Sequence, residues 1–536
     1  MKIAYKKYTF LLAGLVLLNS SCKKFVDINE DPNNSTSPQL NLLIPSSQIS
    51  MVGNMYQLNS GASTLVQHTI FSTPLSRFQQ TGTSFNDSWN GFYTQTLNDI
   101  ETVITAGTTS QQWGYVAIAK LEKAYLYSIM VDMWGDIPYT EAEQGAGNTG
   151  PGLEKGDAIY AKLFTLIDEA VVDANKVTGT SLMVAGGTDV FYGGSKASWI
   201  AFANTLKLKM YNQVRLVDPA ASTAAIRTLV ASPATLIGGT GTANTTDFSF
   251  KFGSNASPNN RHPWHRSEYQ GSKTFYMSTS LVSGLIANDD PRVRYFVFRQ
   301  VANVGANNST GGNGYYGREP GDPTSVPADL ARRSTFGVYP AGGLYDNAPI
   351  SSGLPATNVF LTNTGATGTL KVVTVNDGGG AGLMPLITNS MVKFIRAEAA
   401  LTLGTETPAA ARQLYMDGIT ASFTNIASVT GVAFPAASVT GFVAKMVAQY
   451  DATDDAGKLN LIMSQKYIAN YGNGMESYND YRRTGLPVLR GLASPLNVFP
   501  LRLYYSDTEL TTNSSLLGNA SALQVAQQIT PVFWDK

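Results

Sequence analysis

The chain has 536 residues with 38 Lys and Arg against 38 Asp and Glu, and charged residues make up only 14% of it. A typical soluble domain is about one-quarter charged, so this chain relies on neutral polar side chains for its solubility. The balanced charge gives no basic footprint for nucleic acid, which is excluded as a partner.

The N-terminus has the pattern of a secretory signal peptide. Lys2, Lys6 and Lys7 precede the short apolar stretch TFLLAGLVLL, and small polar residues then lead to Cys22. A charged start, a short apolar segment and small residues before a cleavage point predict a signal peptide at 1–21. The stretch is too short for a membrane-spanning helix, which needs about 20 apolar residues. Cleavage removes three lysines and no acid, so the net charge falls from 0 to −3.

Cys22 is the only cysteine in the chain, so it cannot form an internal disulfide. It occupies the position of a lipidated bacterial cysteine, although Asn19 stands where Leu is usual. We predict acylation at Cys22, and the alternative is an incidental cysteine after a discarded signal. Each buried acyl CH₂ contributes roughly 0.8 kcal/mol, so several chains hold a protein firmly at a membrane. The polar residues 22–38 are predicted to form a flexible tether.

Helical periodicity begins near Gln39 and recurs along the chain. The segment at 110–133 has Ser110 as its predicted N-cap and one apolar stripe at steps of three and four, and Gly135 and Pro138 predict its end. Further helical segments lie at 86–106, 157–172, 196–216, 389–403, 408–424, 454–471 and 475–483. A helix pair cannot bury its apolar face alone, so these four pairs predict a mainly α, tetratricopeptide-like stack.

No linker-like break divides residues 39–536, which are predicted to form a single domain. The helical repeats are expected at about 39–232 and 386–485, and a C-terminal segment follows at 486–536.

A loop-rich region at 233–385 separates the second and third helix pairs and is rich in Gly, Asn, Ser, Thr and Pro. Only 278–288 has a helical pattern there, and 248–252 and 370–375 are predicted as short strands. Its aromatic residues argue against disorder. A long ordered insertion of this kind is usually functional, so we predict that it binds the ligand.

Short motifs occur in a fixed order over the whole mature chain. They are Asp31-Pro32-Asn33, Trp134-Gly135-Asp136-Ile137-Pro138-Tyr139, Asp290-Pro291-Arg292, Phe394-Ile395-Arg396-Ala397-Glu398, Gln465-Lys466-Tyr467-Ile468, Tyr481-Arg482-Arg483-Thr484-Gly485 and Val532-Phe533-Trp534-Asp535. Each motif alone is weak. In this order, and after a lipoprotein start, they resemble the SusD/RagB family of outer-membrane lipoproteins, in particular its SusD-like branch.

The resemblance implies a fold and a function. The fold is four tetratricopeptide-like helix pairs that scaffold a variable, loop-rich region. The function is capture of oligosaccharide or peptide at the cell surface by a lipid-anchored lid over a SusC-like TonB-dependent transporter, without catalysis. Two alternatives stay open: an assembly subunit that binds no ligand, and a surface glycoside hydrolase.

Signatures of catalysis and of metal binding are absent from the sequence. The chain contains only three histidines, no HExxH motif, a single cysteine and no G-x-S-x-G motif. The carboxylate pair of a glycoside hydrolase is defined by its separation in space, which the sequence does not give. We expect no catalytic residue, no metal and no cofactor.

Several charged residues of the motifs could form an anion site. Arg482 and Arg483 lie in a helix pair, however, where they are better explained as partners of carboxylates such as Glu398 or of backbone carbonyls. Trp134 and Trp199 lie on stacking helices and are predicted to be core residues.

Ligand-binding side chains are expected in loops that the scaffold holds in place. The best candidate is the loop at 260–269, because Trp264, His262, His265 and Tyr269 combine flat rings with polar groups, and sugars offer an apolar face with a polar rim. Packing in the core is the main alternative for Trp264.

Two further sets of candidates follow the same reasoning. Tyr315 and Tyr316 lie between two glycines, and Phe78 and Gln79 precede a Gly-containing turn. No motif distinguishes one glycan from another, or a glycan from a peptide.

Overall fold

The computed structural model describes residues 39–73, 75–183, 188–270, 274–300, 314–323, 333–347, 361–363, 370–372, 377–494 and 498–536. The predicted signal peptide, Cys22 and the tether lie outside them. The described part of the chain is mainly helical with a few short strands, which confirms the predicted fold class. None of its helices is both long enough and apolar enough to cross a membrane.

The helices that precede the loop-rich region form the first half of the scaffold. They are α1 (Leu40–Leu65), α2 (Asn86–Gly91), α3 (Leu97–Thr109), α4 (Trp113–Trp134), α5 (Gly156–Lys176), α6 (Lys196–Gln213) and α7 (Pro219–Val230). A π-helical stretch at Phe92–Thr96 joins α2 to α3. Helix α4 packs most extensively on α5 and also contacts α3 and α1, so it lies at the centre of this half.

The second half follows one helix inside the loop-rich region, α8 (Thr279–Ala287). Its helices are α9 (Asn389–Leu403), α10 (Pro408–Thr430), α11 (Ala436–Asp451), α12 (Asp455–Ala469), α13 (Gly474–Thr484), α14 (Asp507–Thr512) and α15 (Ala520–Ile529). Short helical turns lie at Pro263–His265, Arg266–Gln270 and Val293–Phe296. The sequence-based prediction missed α7 and α11, which extend the helical pairs, and α14 and α15 in the C-terminal segment.

Helix boundaries follow local capping signals in most places. Asp218 accepts a hydrogen bond from the Ala221 N–H and Pro219 takes the first position of α7. Thr407 caps α10 in the same way, and α9 ends at Gly404, whose φ of +59° suits glycine.

The predicted start of α4 at Ser110 is wrong. Ser110 closes the preceding helix instead, because its hydroxyl donates to the Ala106 carbonyl, and α4 begins at Trp113. The single apolar stripe predicted for this helix is also too narrow. Nearly every side chain of α4 is buried, including Glu122 and Tyr125 on other faces, because neighbouring helices surround it.

The last predicted helix pair has different packing partners from those expected. Helix α12 packs mainly on α9, and α13 packs mainly on α1, from which it is separated by more than 400 residues. Gly474 permits this contact, because a Cβ atom there would lie 2.3 Å from the Ser63 backbone nitrogen. Close approach without a side chain is the physical reason for a glycine at the start of α13.

The strands form two-stranded antiparallel ladders rather than a sheet. β1 (Thr69–Phe71) pairs with β3 (Phe275–Met277), β2 (Phe248–Lys251) with β8 (Leu383–Ile387), β4 (Val297–Phe298) with β5 (Thr335–Phe336), and β6 (Leu361–Asn363) with β7 (Leu370–Val372). The β2–β8 ladder joins the beginning of the loop-rich region to its end. The β1–β3 ladder joins its middle to the N-terminal scaffold.

The loop-rich region has a hydrophobic core of its own. Trp264, Phe296 and Phe336 pack there with residues of α8 and with Tyr471, which follows α12. The aromatic residues that argue against disorder therefore fold the region onto the helices.

A buried ionic network links the two halves of the scaffold. The Glu398 carboxylate on α9 accepts hydrogen bonds from Arg483 on α13 and from Asn212 on α6, and it forms an ion pair with Arg215 at 2.8 Å. Arg483 also donates to Asp480 at 2.8 Å. The pairing of Arg483 with Glu398 confirms the structural role predicted for these residues.

The network continues to α4 and the C-terminus. Asp132 on α4 accepts hydrogen bonds from the Tyr160 hydroxyl at 2.5 Å, the Asn479 amide at 2.8 Å and the Trp534 indole at 2.9 Å. The Arg482 guanidinium donates to the Asp132 carbonyl. Six segments of the chain thus share one set of buried charges.

We expect Glu398→Gln to lower the free energy of unfolding by about 3–5 kcal/mol, because Arg215 and Arg483 would lose their shared buried counter-charge. Urea unfolding measures the change. Asp451→Asn is the matched control, since it breaks the exposed ion pair with Arg412. Equal effects of the two substitutions would contradict a structural role for the network.

A second prediction concerns pH. Burial raises the pKa of Glu122 to about 8, although the Gln48 amide and the Ser47 hydroxyl donate to its carboxylate. Between the ordinary pKa of about 4.5 and about 8 the folded state retains a proton that the unfolded state has released, so this group costs stability as pH rises. Glu122→Gln should therefore gain stability relative to the unmodified protein between about pH 5 and about pH 8.5.

Urea unfolding at both pH values measures this difference. Glu169→Gln, which removes an exposed carboxylate, is the control. A stability difference for Glu122→Gln that does not change with pH would show that Glu122 is ionised in the folded protein.

Candidate functional site

Trp264, the leading ligand-binding candidate, lies in the core of the loop-rich region with 1% of its surface exposed. Its indole stacks on the Phe336 ring at 4.6 Å between centroids and at an angle of 14°. The indole N–H points at the Ser60 hydroxyl at 3.4 Å. These contacts favour the packing alternative for Trp264, because no face of the ring is left for a ligand.

The two histidines of the same loop are also buried. His262 caps the helical turn that follows it, because its Nδ1 accepts from the Trp264 N–H at 3.1 Å. Burial, with a smaller contribution from His265, lowers the pKa of His262 to about 3, so the ring is neutral at ordinary pH. His265 stacks on the Tyr269 ring at 4.8 Å. The imidazoles therefore shape the loop.

Tyr269 and Tyr315 are buried as well. The Tyr269 hydroxyl donates to the Phe336 carbonyl and accepts from the Leu344 N–H, which links two loops. The Tyr315 ring lies beneath the Arg299 guanidinium at 4.7 Å. Tyr316 alone in this group is half-buried, and its backbone pairs with Ser334.

The third predicted set divides between the core and the surface. Phe78 is buried and contacts the Phe499 ring at 6.1 Å between centroids, whereas Gln79 is exposed. The neighbouring Arg77, which the sequence-based reasoning did not select, is half-buried and lies between two aromatic rings.

Arg77 is the centre of a surface at one end of the β1–β3 ladder. Its guanidinium lies 5.0 Å from the Phe71 ring and 5.5 Å from the Phe85 ring. It donates one hydrogen bond, to the Ser84 carbonyl, and has no carboxylate partner among the described residues. A guanidinium of this kind presents further N–H groups next to the partly buried ring of Phe71.

Other polar side chains complete this surface, which we call the Arg77 patch and define as Tyr56, Phe71, Arg77, Arg266 and Thr274. Burial raises the pKa of Tyr56 to about 12, although a hydrogen bond with Ser60 and the charges of Arg266 and Arg77 act to lower it. The phenol is thus a neutral hydrogen-bond donor and acceptor. Arg266 is exposed, and the described residues provide it with no ion-pair partner.

The ladder holds the patch in place. The Ser72 N–H donates to the Thr274 carbonyl at 2.8 Å just beyond the β1–β3 pairing. The Arg318 guanidinium donates to the Ser72 carbonyl at 3.1 Å and lies over the Tyr276 ring at 5.1 Å. The ends of β1 and β3 and the segment around Arg318 are therefore fixed to one another. Tyr316 lies two residues before Arg318.

A cavity of about 200 Å³ lies at the other end of the β1–β3 ladder, between α8 and α12. The Gln67 side chain crosses it, accepting from the Ser280 hydroxyl at 2.7 Å and donating to the Arg490 carbonyl at 2.7 Å. Ligand pockets usually measure about 300–1,000 Å³. This cavity is below that range and its amide is satisfied internally, so it is a weak candidate for a ligand site.

The patch offers groups that can bind a ligand. Glu268, the carboxylate nearest to it in the chain fold, is buried and pairs with Arg333 at 2.9 Å. Within the described residues no group of three His, Cys, Asp or Glu side chains could hold a metal ion. The available chemistry is aromatic contact and hydrogen bonding.

Sequence reasoning missed Phe71, Arg77 and Tyr56 for an identifiable reason. The three residues Thr69 to Phe71 are a weak strand signal, and the partner strand lies about 200 residues away. The only local signal was the position of Arg77 next to the selected Phe78.

Comparison with known proteins gives a family and a fold. A SusD-like family described as starch-binding and associating with the outer membrane matches residues 32–506. No curated protein matches the chain.

Among solved structures, a chitin-binding SusD homologue from Flavobacterium johnsoniae is 20% identical, with a TM-score of 0.69 over 92% of this chain and 98% of that chain. A SusD/RagB family protein from Bacteroides thetaiotaomicron is 18% identical, with a TM-score of 0.69 over 93% and 99%. A SusD homologue from Bacteroides uniformis is 18% identical, with a TM-score of 0.68 over 92% and 99%. At these identities the similarity shows the fold alone.

We expect Trp264→Ala to lower the free energy of unfolding by about 3–5 kcal/mol, as truncation of a large core residue does. Chemical denaturation measures the loss. Tyr316→Phe, which removes one hydroxyl from a half-buried ring, should have a much smaller effect. A stable Trp264→Ala protein would show that the indole is not part of the core.

Proposed function

This chain belongs to the SusD-like family of starch-binding proteins that associate with the outer membrane, and we propose that it is a cell-surface lipoprotein that captures oligosaccharide. In this proposal the captured glycan passes to a SusC-like TonB-dependent transporter. The observation that carries the proposal for this chain is the Arg77 patch, where a guanidinium that has no carboxylate partner among the described residues lies over a partly buried aromatic ring.

The chemistry of the patch matches that of a sugar. A pyranose has a face of C–H groups that can cover the Phe71 ring and a rim of hydroxyls that can accept from Arg77 and Arg266. The Tyr56 phenol adds a group that both donates and accepts. Hydrogen bonds to charged donors contribute about 1.5–3 kcal/mol each, so two or three of them give useful affinity.

A peptide is the second ligand class. Its carbonyl oxygens would accept from the same arginines, and an apolar side chain would cover Phe71. The family description favours the glycan, since it names starch binding.

We propose that the protein is held at the membrane by acyl chains on Cys22 and that it faces the cell exterior. The support is the position of this single cysteine after a signal-like segment and the outer-membrane association of the family. The polar residues 22–38 then separate the binding surface from the lipid.

We propose binding without turnover. The surroundings of the patch support this, because Glu268 is already engaged by Arg333 and the patch itself contains no carboxylate. A glycoside hydrolase needs two carboxyl groups at the scissile bond.

The test is a binding screen of the purified protein against neutral glycans and peptides, with product analysis for every ligand that binds. We expect saturable binding without turnover. Phe71→Ala and Arg77→Gln should each weaken it by about tenfold or more, because each removes one principal contact. Phe164→Ala, at a half-buried ring stacked on Tyr211, and Arg412→Gln are the matched controls.

Three outcomes would contradict the proposal. Turnover of a bound glycan would identify a hydrolase. Binding that survives both substitutions would place the site elsewhere. No binding to any member of a broad panel would favour the alternative of an assembly subunit, which should then co-purify with the transporter.

A further inference from the structure

A second cleft lies apart from the Arg77 patch and shares no residue with it. It is a groove of about 640 Å³ between the turn that follows α8 and the first half of α11. This volume is within the usual range of about 300–1,000 Å³ for small-molecule sites. We name it the Arg294 cleft and define it by Asn288, Asp289, Arg294, Ser438, Phe442 and Lys445.

The Arg294 guanidinium is held in place by its neighbours but forms no ion pair with any described residue. Its Nε donates to the Asp346 carbonyl at 2.8 Å, and the group lies 5.3 Å from the Tyr345 ring. The two terminal nitrogens have no partner among the described residues. The nearby Asp346 carboxylate does not neutralise the group, because it is bound by Arg299 at 2.6 Å and 2.8 Å.

An aromatic stack supports this arginine. Tyr345 contacts Tyr295 at 4.8 Å between ring centroids, and Tyr295 stacks on Phe434 at 3.9 Å. The Tyr295 hydroxyl donates to the Ala433 carbonyl just before α11. The hydrogen bond of its Nε and the contact with the Tyr345 ring thus fix the orientation of the guanidinium. Its two terminal nitrogens are therefore held in one direction.

Lys445 provides a second cation on the opposite wall. Its ammonium group donates to the Asn288 carbonyl at 2.9 Å and pairs with Asp289 at 3.1 Å. The Asp289 side chain is 88% exposed and that of Lys445 is 39% exposed. An ion pair so exposed is weak, so a ligand anion can compete with Asp289 for Lys445.

The charges that line the cleft are therefore two cations and one solvated anion. The chain as a whole has no excess of positive charge, so this local excess is a property of the site. A planar carboxylate matches the two parallel N–H groups of an arginine. The Ser438 hydroxyl and the Asn288 amide can meet neutral hydroxyls beside that carboxylate, and Phe442 offers an apolar face.

We propose that the Arg294 cleft binds a carboxylate-bearing sugar, with Arg294 as its bidentate partner and Lys445 as its second cation. This goes beyond the capture of neutral glycan at the Arg77 patch.

The probe is digalacturonate, compared with its methyl ester, which retains the shape and removes the charge. Titration calorimetry on the purified protein at low ionic strength measures both. We expect the acid to bind at least tenfold more tightly than the ester, and its affinity to fall as salt is added. Equal affinity for the two compounds, or no binding of the acid, would overturn the proposal.

Substitutions locate the site. Arg294→Gln should weaken acid binding at least tenfold, and Lys445→Gln should weaken it severalfold. Arg412→Gln, at an exposed arginine outside the cleft, should leave it unchanged. Acid binding that survives both cleft substitutions would place the site elsewhere and overturn the assignment.

Asp289→Asn gives a test that misfolding cannot imitate. Asp289 has a φ of +52°, a conformation that Asn also adopts readily, so the backbone should be retained. The substitution removes the anion and frees Lys445, and it should raise the affinity for digalacturonate about threefold without changing that for the ester. Unchanged or weaker acid binding would contradict the role given to Lys445.

The two sites can be judged separately. Phe71→Ala should leave digalacturonate binding intact, and Asp289→Asn should leave neutral-glycan binding intact. If Phe71→Ala abolished acid binding, the acid would occupy the Arg77 patch and the second site would be rejected, whatever the neutral panel shows.

Discussion

The buried charge network around Glu398 and Asp132 is the constraint on which the rest of the structure depends. Isolated charges in a protein interior are costly, so each buried cation of the network needs a carboxylate partner in the packed structure. Arg483 meets Glu398 only when α13 has reached α9, and Asn479 meets Asp132 only when α13 has reached α4. This need for charge pairing favours one arrangement of the helices. Burial of their apolar faces alone would be satisfied by several arrangements.

The fixed scaffold in turn decides where binding chemistry can appear. The aromatic residues of the loop-rich region, Trp264 and Phe336 among them, form a core that docks on Tyr471 at the end of α12. The candidate site therefore lies at the rim of that core, on the β1–β3 ladder. Rigid support of this kind reduces the ordering cost when a ligand binds, which suits the proposed capture of a flexible glycan.

The Arg77 patch and the Arg294 cleft have one feature in common. In each, a guanidinium lies next to an aromatic ring and, within the described part of the chain, has no carboxylate partner of the kind that pairs with the arginines of the interior. Arg292, Arg299 and Arg483 are all buried and paired. Structural arginines thus differ from arginines that can bind a ligand in whether a carboxylate of the protein pairs with them. The residue type alone does not reveal this difference.

The sequence by itself determined the helical fold class, the approximate boundaries of the predicted scaffold helices and a structural role for Arg483 with carboxylates such as Glu398 or with backbone carbonyls, because periodicity, caps and buried opposite charges act locally or leave few choices. The predictions for residues 1–38, Cys22 among them, rest on the sequence alone. Only the tertiary structure decided that Trp264, Tyr269 and Tyr315 are core residues and that Phe71 and Arg77 are partly buried residues at the edge of that core. An aromatic residue in a Gly-rich loop has the same sequence pattern whether its ring is in the core or exposed. Its burial depends on strands that pair across about 200 residues.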